Sequence, residues 1–296
     1  MTAQFAVVSK EFSMFRLCLL IGIFITSGVS AETLNIPSVP DDQSFQMRVL
    51  KEVVKRSDVY DSTNNAYGNT GDGSFEKTTN DLADGVIDIL WTATHLELEE
   101  KMTAIYFPIF RGAFGMRVGI VPRSQQNKLA GVKSLSDLQQ FSVCSGKTWA
   151  DTFILEANGI KISKSLNYPN IFYMVEADRC DYFARGITEP WSEVASRPEL
   201  DLVVDSNIML RYQMPMLFFV KKGNTQLANH FTEILMQMFE DGSYDKLFFA
   251  DESVNLALEM GKLQDRVIID LKNPNNSPRI GQIPEQLWFD PIAGAQ

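Results

Sequence analysis

The sequence predicts an α/β fold with a ligand cleft between two lobes. Two observations predict it. Strand-like and helix-like segments alternate along most of the chain, the pattern of strands and helices layered in one core. In addition, the stretches 82–94 and 175–189 share one phrase: a helix end, a polar turn, an Asp, a short apolar strand, then polar groups. In open α/β sheets ligands bind beyond the carboxyl ends of the strands, and both phrases place hydrogen-bonding side chains there.

The elements follow in order. A first strand spans 33–39, and Phe45, Val49, Leu50, Val53 and Val54 then recur at helical spacing. A second strand starts at Val59, and a Gly/Asn-rich loop fills 64–73. A helix from Ser74 ends near Gly85, strand 87–91 follows, and a short acidic helix covers 95–101. Residues 112–122 read as a long apolar strand, and the polar turn at 122–127 marks a domain crossing. In the second unit, strand 141–144 leads through Ser145-Gly146-Lys147 into a helix carrying Trp149, Phe153, Ile154 and Leu155, which Gly159 can cap. Strands at 160–163, 181–184 and 201–204 alternate with helices at 169–177 and 187–196. Residues 209–220 are apolar enough to cross back, and Leu227, Phe231, Ile234, Leu235 and Met238 mark an amphipathic helix that stops at Gly242. Beyond 250, residues 266–271 read as a strand, and the Pro-rich remainder is expected to wrap the surface.

Residues 1–31 read as a cleavable export signal. Arg16 precedes the apolar run 17–26, and Val29 and Ala31 supply the small residues of a peptidase site before Glu32. Met14 is an alternative start. The run is short of the roughly 20 apolar residues of a membrane-spanning helix, so the expectation is a periplasmic protein. Its length suits two domains. Removing Lys10, Arg16 and Glu11 with the signal moves the net charge from −10 to −11. Such an acidic chain is a poor partner for nucleic acid or anionic lipid. Cys144 and Cys180 are expected as free thiols. Their predicted places, at opposite ends of neighbouring parallel strands, exceed the ~7 Å between Cα atoms that a disulfide allows.

Residue types argue against several chemistries. His95 and His230 have no partners at zinc spacing. Ser145-Gly146-Lys147-Thr148 looks like the end of a phosphate-binding loop, but Phe141 stands where that motif needs Gly. No Gly-x-Ser-x-Gly elbow occurs. No catalytic residue, cofactor or metal is therefore assigned. The candidates are ligand-binding: Trp91, Thr92 and Thr94 on one side; Lys147, Thr148, Trp149 and Asp151 at a helix start whose free N–H groups point to the cleft; and Arg185 with Glu189. Thr148 and Asp151 could form a capping box, and Arg185 and Glu189 could pair with each other.

Four segments, 82–89, 146–152, 179–186 and 241–248, resemble the bacterial extracellular solute-binding proteins of the amino-acid-binding type, over about residues 33–250. The resemblance implies a two-lobed type II periplasmic-binding fold with two crossover strands. The first lobe would hold 32–122 and 214–250, the second 123–213, with 251–296 an extension packing on the first lobe. It implies a monomer that captures a small solute for a membrane permease or presents it to a sensor protein. A dehydratase-like enzyme on the same scaffold, with Glu189 or Glu99 as acid/base, is the remaining alternative. The family usually clamps the solute carboxylate with an arginine soon after the first-lobe Thr, yet no arginine occurs between Trp91 and Arg111. Arg185 stands near the family's ammonium-binding acid. Together these predict a small polar solute whose acidic group docks on the second lobe.

Overall fold

The computed structural model describes residues 1, 31–70 and 74–290. The predicted export run and most of its cleavage site lie outside the described residues. Among the described residues, no helix is long and apolar enough to cross a membrane.

The chain opens with β1 (Glu32–Ile36), α1 (Phe45–Arg56), β2 (Tyr60–Asn65), α2 (Phe75–Asp84), β3 (Ile89–Ala93), α3 (Leu96–Lys101) and β4 (Thr103–Ile105). It continues with β5 (Met116–Pro122), α4 (Leu135–Leu138), β6 (Ser142–Gly146), α5 (Ala150–Ala157), β7 (Lys161–Ser165), α6 (Tyr168–Glu176), β8 (Tyr182–Gly186), α7 (Pro190–Ala195), β9 (Leu202–Val204) and β10 (Ile208–Arg211). β11 (Met216–Val220), α8 (Thr225–Glu240), α9 (Ser243–Phe249), α10 (Glu252–Gly261) and β12 (Val267–Asp270) complete it.

Two separate sets of strands build two lobes. In the first, β1 pairs with β2 in parallel, and β11 lies between β3 and β4, antiparallel to both. The apolar stripes read from the sequence bury here: Phe45, Val49, Leu50, Val53 and Val54 of α1, and Leu227, Phe231, Ile234, Leu235 and Met238 of α8. In the second lobe the strand order is β12-β10-β5-β8-β6-β7, with β9 also on β5. Separate apolar clusters cover this sheet, one including Val143, Leu155 and Tyr182, the other Cys144, Phe172 and Phe183.

The crossings differ in detail from the expectation. β5 already pairs with β8, β9 and β10, so the chain enters the second sheet before Met116, not at Pro122. Every residue of β5 is buried, and its apolar run reflects a central strand rather than a connector. The return runs from Arg211 to Met216. The extension past 250 is shared between the lobes: β12 adds to the second sheet beside β10, while Ile280, Ile283, Leu287 and Phe289 bury in the first-lobe core.

Cys144 and Cys180 form a disulfide with Cα atoms 5.6 Å apart, against the expected free thiols. The strand positions explain the error. β6 runs on to Gly146, which places Cys144 in its middle, and the register pairs Cys144 with Phe183. The turn after α6 passes through Asp178 at φ 54°, the Asp181 N–H donates to the Ser142 carbonyl of β6, and Cys180 packs with Cys144 in one apolar cluster.

Candidate functional site

Strand ends from both lobes meet at a cleft of about 1220 Å³. β3 brings Trp91 and Thr92, with Thr94 just beyond it. The turn after β6 brings Thr148 and Trp149, the first turn of α5 brings Asp151, and the end of β8 and its turn into α7 bring Arg185 and Glu189. Lys147 stands apart from the other predicted residues. It is exposed, does not line the cleft, and its backbone N–H donates to the Ser165 carbonyl.

The helix start is built differently from the predicted box. Trp149 occupies the N-cap position of α5 without a side-chain cap, so Thr148 is free to line the cleft. Thr152 holds the turn instead, donating to the Gly146 carbonyl at 2.6 Å. The Trp149 ring lies against Gly146, where a β-carbon would fall 2.4 Å from ring atoms. It stacks on Phe183 at 6.0 Å, and the Arg185 guanidinium lies 5.2 Å from its centroid.

The second-lobe wall is a network of alternating charges. Arg117 of β5 is 1% exposed, with Nη2 2.8 Å from Asp151 Oδ1 and Nη1 3.2 Å from Glu189 Oε2. The Tyr212 hydroxyl donates to Asp151. Arg185 donates to Glu189 at 2.5 Å and, through Nε and Nη2, to both oxygens of Glu193. Glu189 also accepts the Gly186 N–H at 2.7 Å. Burial pushes the Glu189 carboxyl above its ordinary pKa, while Arg185 and Arg117 pull it back. Burial works against the Arg185 charge, but Glu189 and Glu193 overcome it and raise its pKa. Gly186 matters for space: a β-carbon there would meet Glu189 Oε2 at 2.8 Å and Arg117 Nη1 at 3.3 Å.

The first-lobe wall is more apolar. Trp91 packs edge-on against Phe218 at 6.3 Å. Thr94 donates to Glu99 at 2.7 Å, and Glu99 accepts two further hydroxyls, from Tyr106 at 2.6 Å and Ser277 at 2.5 Å. Burial and the bond to Glu99 push Tyr106 up to about 12. Half-buried His95 lines the cleft with its pKa lowered by burial, against the pull of Glu97 and Glu99. Phe75 and Leu96 on this side and Phe153 on the other are exposed at the lining.

Sequence reasoning missed Arg117, Glu193, Tyr212 and the cleft-lining Asn273 and Asn275. Arg117 had a signal: it is the one charged residue in the apolar run Met116–Pro122, and a charge in a central strand needs a partner. Among the described residues, no group of His, Cys, Asp or Glu is arranged to hold a metal ion. The charged groups of the walls include Glu76, Glu97, Glu100, Asp151 and Glu189 against Arg117 and Arg185. Both guanidiniums are already spanned by carboxylates.

No protein-family model matches the chain, and no curated protein sequence does. Solved structures do. The GLUR0 ligand-binding core in complex with L-glutamate is similar with a TM-score of 0.54 at 14% identity, over 74% of this chain and 97% of that one. A histidine kinase sensor domain with similarity to periplasmic binding proteins gives 0.53 at 14%, over 73% and 94%. An ancestral arginine-binding protein bound to arginine gives 0.51 at 19%, over 73% and 96%. The chain has the two-lobed α/β fold of the periplasmic binding proteins.

Proposed function

We propose that this chain is a periplasmic solute-binding protein. It captures a small polar organic solute between its lobes and delivers it to a membrane transporter. One observation carries the reading: two lobes with separate sheets face each other across a cleft with Trp91 on one wall and Trp149 on the other, beside buried, ordered charges. Such convergence of aromatic and polar groups is the usual composition of a small-molecule site. Its volume exceeds the usual pocket range of about 300–1,000 Å³, as suits a cleft that narrows on closing.

The acidic solute group expected on Arg185 is not retained. Its guanidinium is held by Glu189 and Glu193, and the charged groups around the cleft are mostly carboxylates. This balance favours neutral or cationic solutes over anionic ones. A sensory role uses the same binding step, and the sensor-domain neighbour keeps it as the second reading. The dehydratase reading draws less support, because Glu99 is committed to three hydroxyl donors.

Thermal-shift screening of the oxidised protein with amino acids, amines and organic acids tests this. A solute at one hundred times its Kd stabilises the fold by about 2.7 kcal/mol. Recovery of a hit as a new chemical product would replace capture with catalysis.

A further inference from the structure

Besides the two crossings, the C-terminal segment passes between the lobes twice more, from α10 into the second sheet and back to the first lobe after β12. From Val267 to Lys272 the segment belongs to the second lobe. β12 pairs with β10, and the Leu271 N–H donates to the Arg211 carbonyl at 2.9 Å. Asn158, at the end of α5, exchanges two hydrogen bonds with the Lys272 backbone at 2.8 and 3.0 Å. By Asn275 the segment belongs to the first lobe. Its carbonyl accepts the Leu96 N–H at 2.8 Å, Ser277 donates to Glu99, and the Phe289 N–H donates to the Arg111 carbonyl at 2.6 Å.

Asn273 and Pro274 alone span the gap, and the strand is fastened to the return crossing. Asn273 and Asn276 both donate side-chain N–H groups to the Gln213 carbonyl, at 2.8 and 2.9 Å. Asn273 and Asn275 also line the cleft. The Asn273 amide is occupied, since it also accepts the Asn275 N–H at 3.0 Å. The half-buried Asn275 side chain has no hydrogen-bond partner among the described residues. An amide offers both a donor and an acceptor to whatever fills the cleft.

We propose that residues 273–276 form a further hinge strand that limits how far the cleft opens and presents the Asn275 amide to its occupant. The second half of this inference rests on the solute-capture reading; the first does not. Two residues spanning between anchored ends reach at most about 3.6 Å per residue. The lobes cannot separate there without breaking the bonds at Lys272 or Leu96. A ligand then meets lobes held within a limited range of spacing, which lowers the ordering cost of binding.

Two measurements test it on the full oxidised chain. For the tether, spin labels go on exposed sites of the two lobes as Asn80→Cys and Lys147→Cys, with Cys144 and Cys180 disulfide-bonded and Cys18 replaced by Ser. A Gly-Ser-Gly-Ser insertion between Asn273 and exposed Pro274 should lengthen and broaden the inter-lobe distance distribution of the solute-free protein. An unchanged distribution in a variant with wild-type circular dichroism overturns the tether. For the contact, the amino acids and aliphatic diamines serve as probes at millimolar concentration. Asn275→Ala should weaken the best of them roughly three- to tenfold, the range of one neutral hydrogen bond. Equal affinity overturns the contact. If no probe binds the wild type, the capture reading loses its support, and the distance measurement alone decides whether this hinge strand stands.

Discussion

Arg117 Nη2 and Asp151 Oδ1 lie 2.8 Å apart in the second-lobe wall, and the Arg117 side chain is 1% exposed. The pair joins β5, the central strand of the sheet, to the first turn of α5. Removing one partner of such a pair leaves an uncompensated buried charge and costs about 3–5 kcal/mol. Arg117→Met should lower stability by that order in urea unfolding. Adding Asp151→Asn should recover part of the loss. A cost below about 1 kcal/mol would mean that the pair behaves as a surface bridge.

Asp181 gives a pH signature. Burial opposes its charge, but Lys128 and the Ser142 N–H and hydroxyl hold its pKa below the ordinary 3.8. With a depressed folded-state pKa, the unfolded chain takes up the proton first as pH falls. The contribution is therefore fully present above the ordinary value and is lost as pH drops through the folded value. Asp181→Asn should be less stable than wild type at neutral pH, with the gap closing as pH falls below 3.8. Melts that stay a constant interval apart across that range would contradict the assignment.

The disulfide links residues 36 apart in sequence, and the chain-entropy model assigns such a loop about 4 kcal/mol. Replacing both partners, Cys144→Ala with Cys180→Ala, should lower stability by about 2–4 kcal/mol. Thiol titration of the denatured, unreduced protein should find neither cysteine reactive.

Gly146→Ala addresses the Trp149 platform. The added methyl falls within 2.4 Å of the ring, and overpacking of this kind costs about 1–3 kcal/mol. The near-ultraviolet circular dichroism should lose intensity as the indole leaves its stack on Phe183. A wild-type spectrum would show that the ring is not seated against the glycine.

Much of this architecture was legible in the sequence because local periodicity and burial agree. The stripes of α1 and α8, and the strand–turn phrases ending at Thr94 and Glu189, follow from side chains only a few residues apart. The remainder depends on contacts between distant segments. The residues around Arg185 do not say that Glu193 will fold back onto it from α7. Arg117 meets Asp151 and Glu189 only through sheet order. The Cys144–Cys180 bond depends on how the turn after α6 delivers Cys180 to β6, and one misplaced strand end reversed that expectation. Asn273 and Asn275 reach the cleft only because β12 pairs with β10.

Gly186 and Glu189 compete for one volume, since a β-carbon at 186 would stand 2.8 Å from the Glu189 carboxylate. That makes the two positions epistatic. An acid cannot be moved from the start of α7 to the end of β8 by one substitution: a side chain at 186 collides with Glu189, and loss of Glu189 first strips a carboxylate from both Arg117 and Arg185. Either single step passes through a damaged intermediate. Specificity changes at this wall are therefore expected to arrive as paired replacements, and a mutational library that varies one site at a time would miss them.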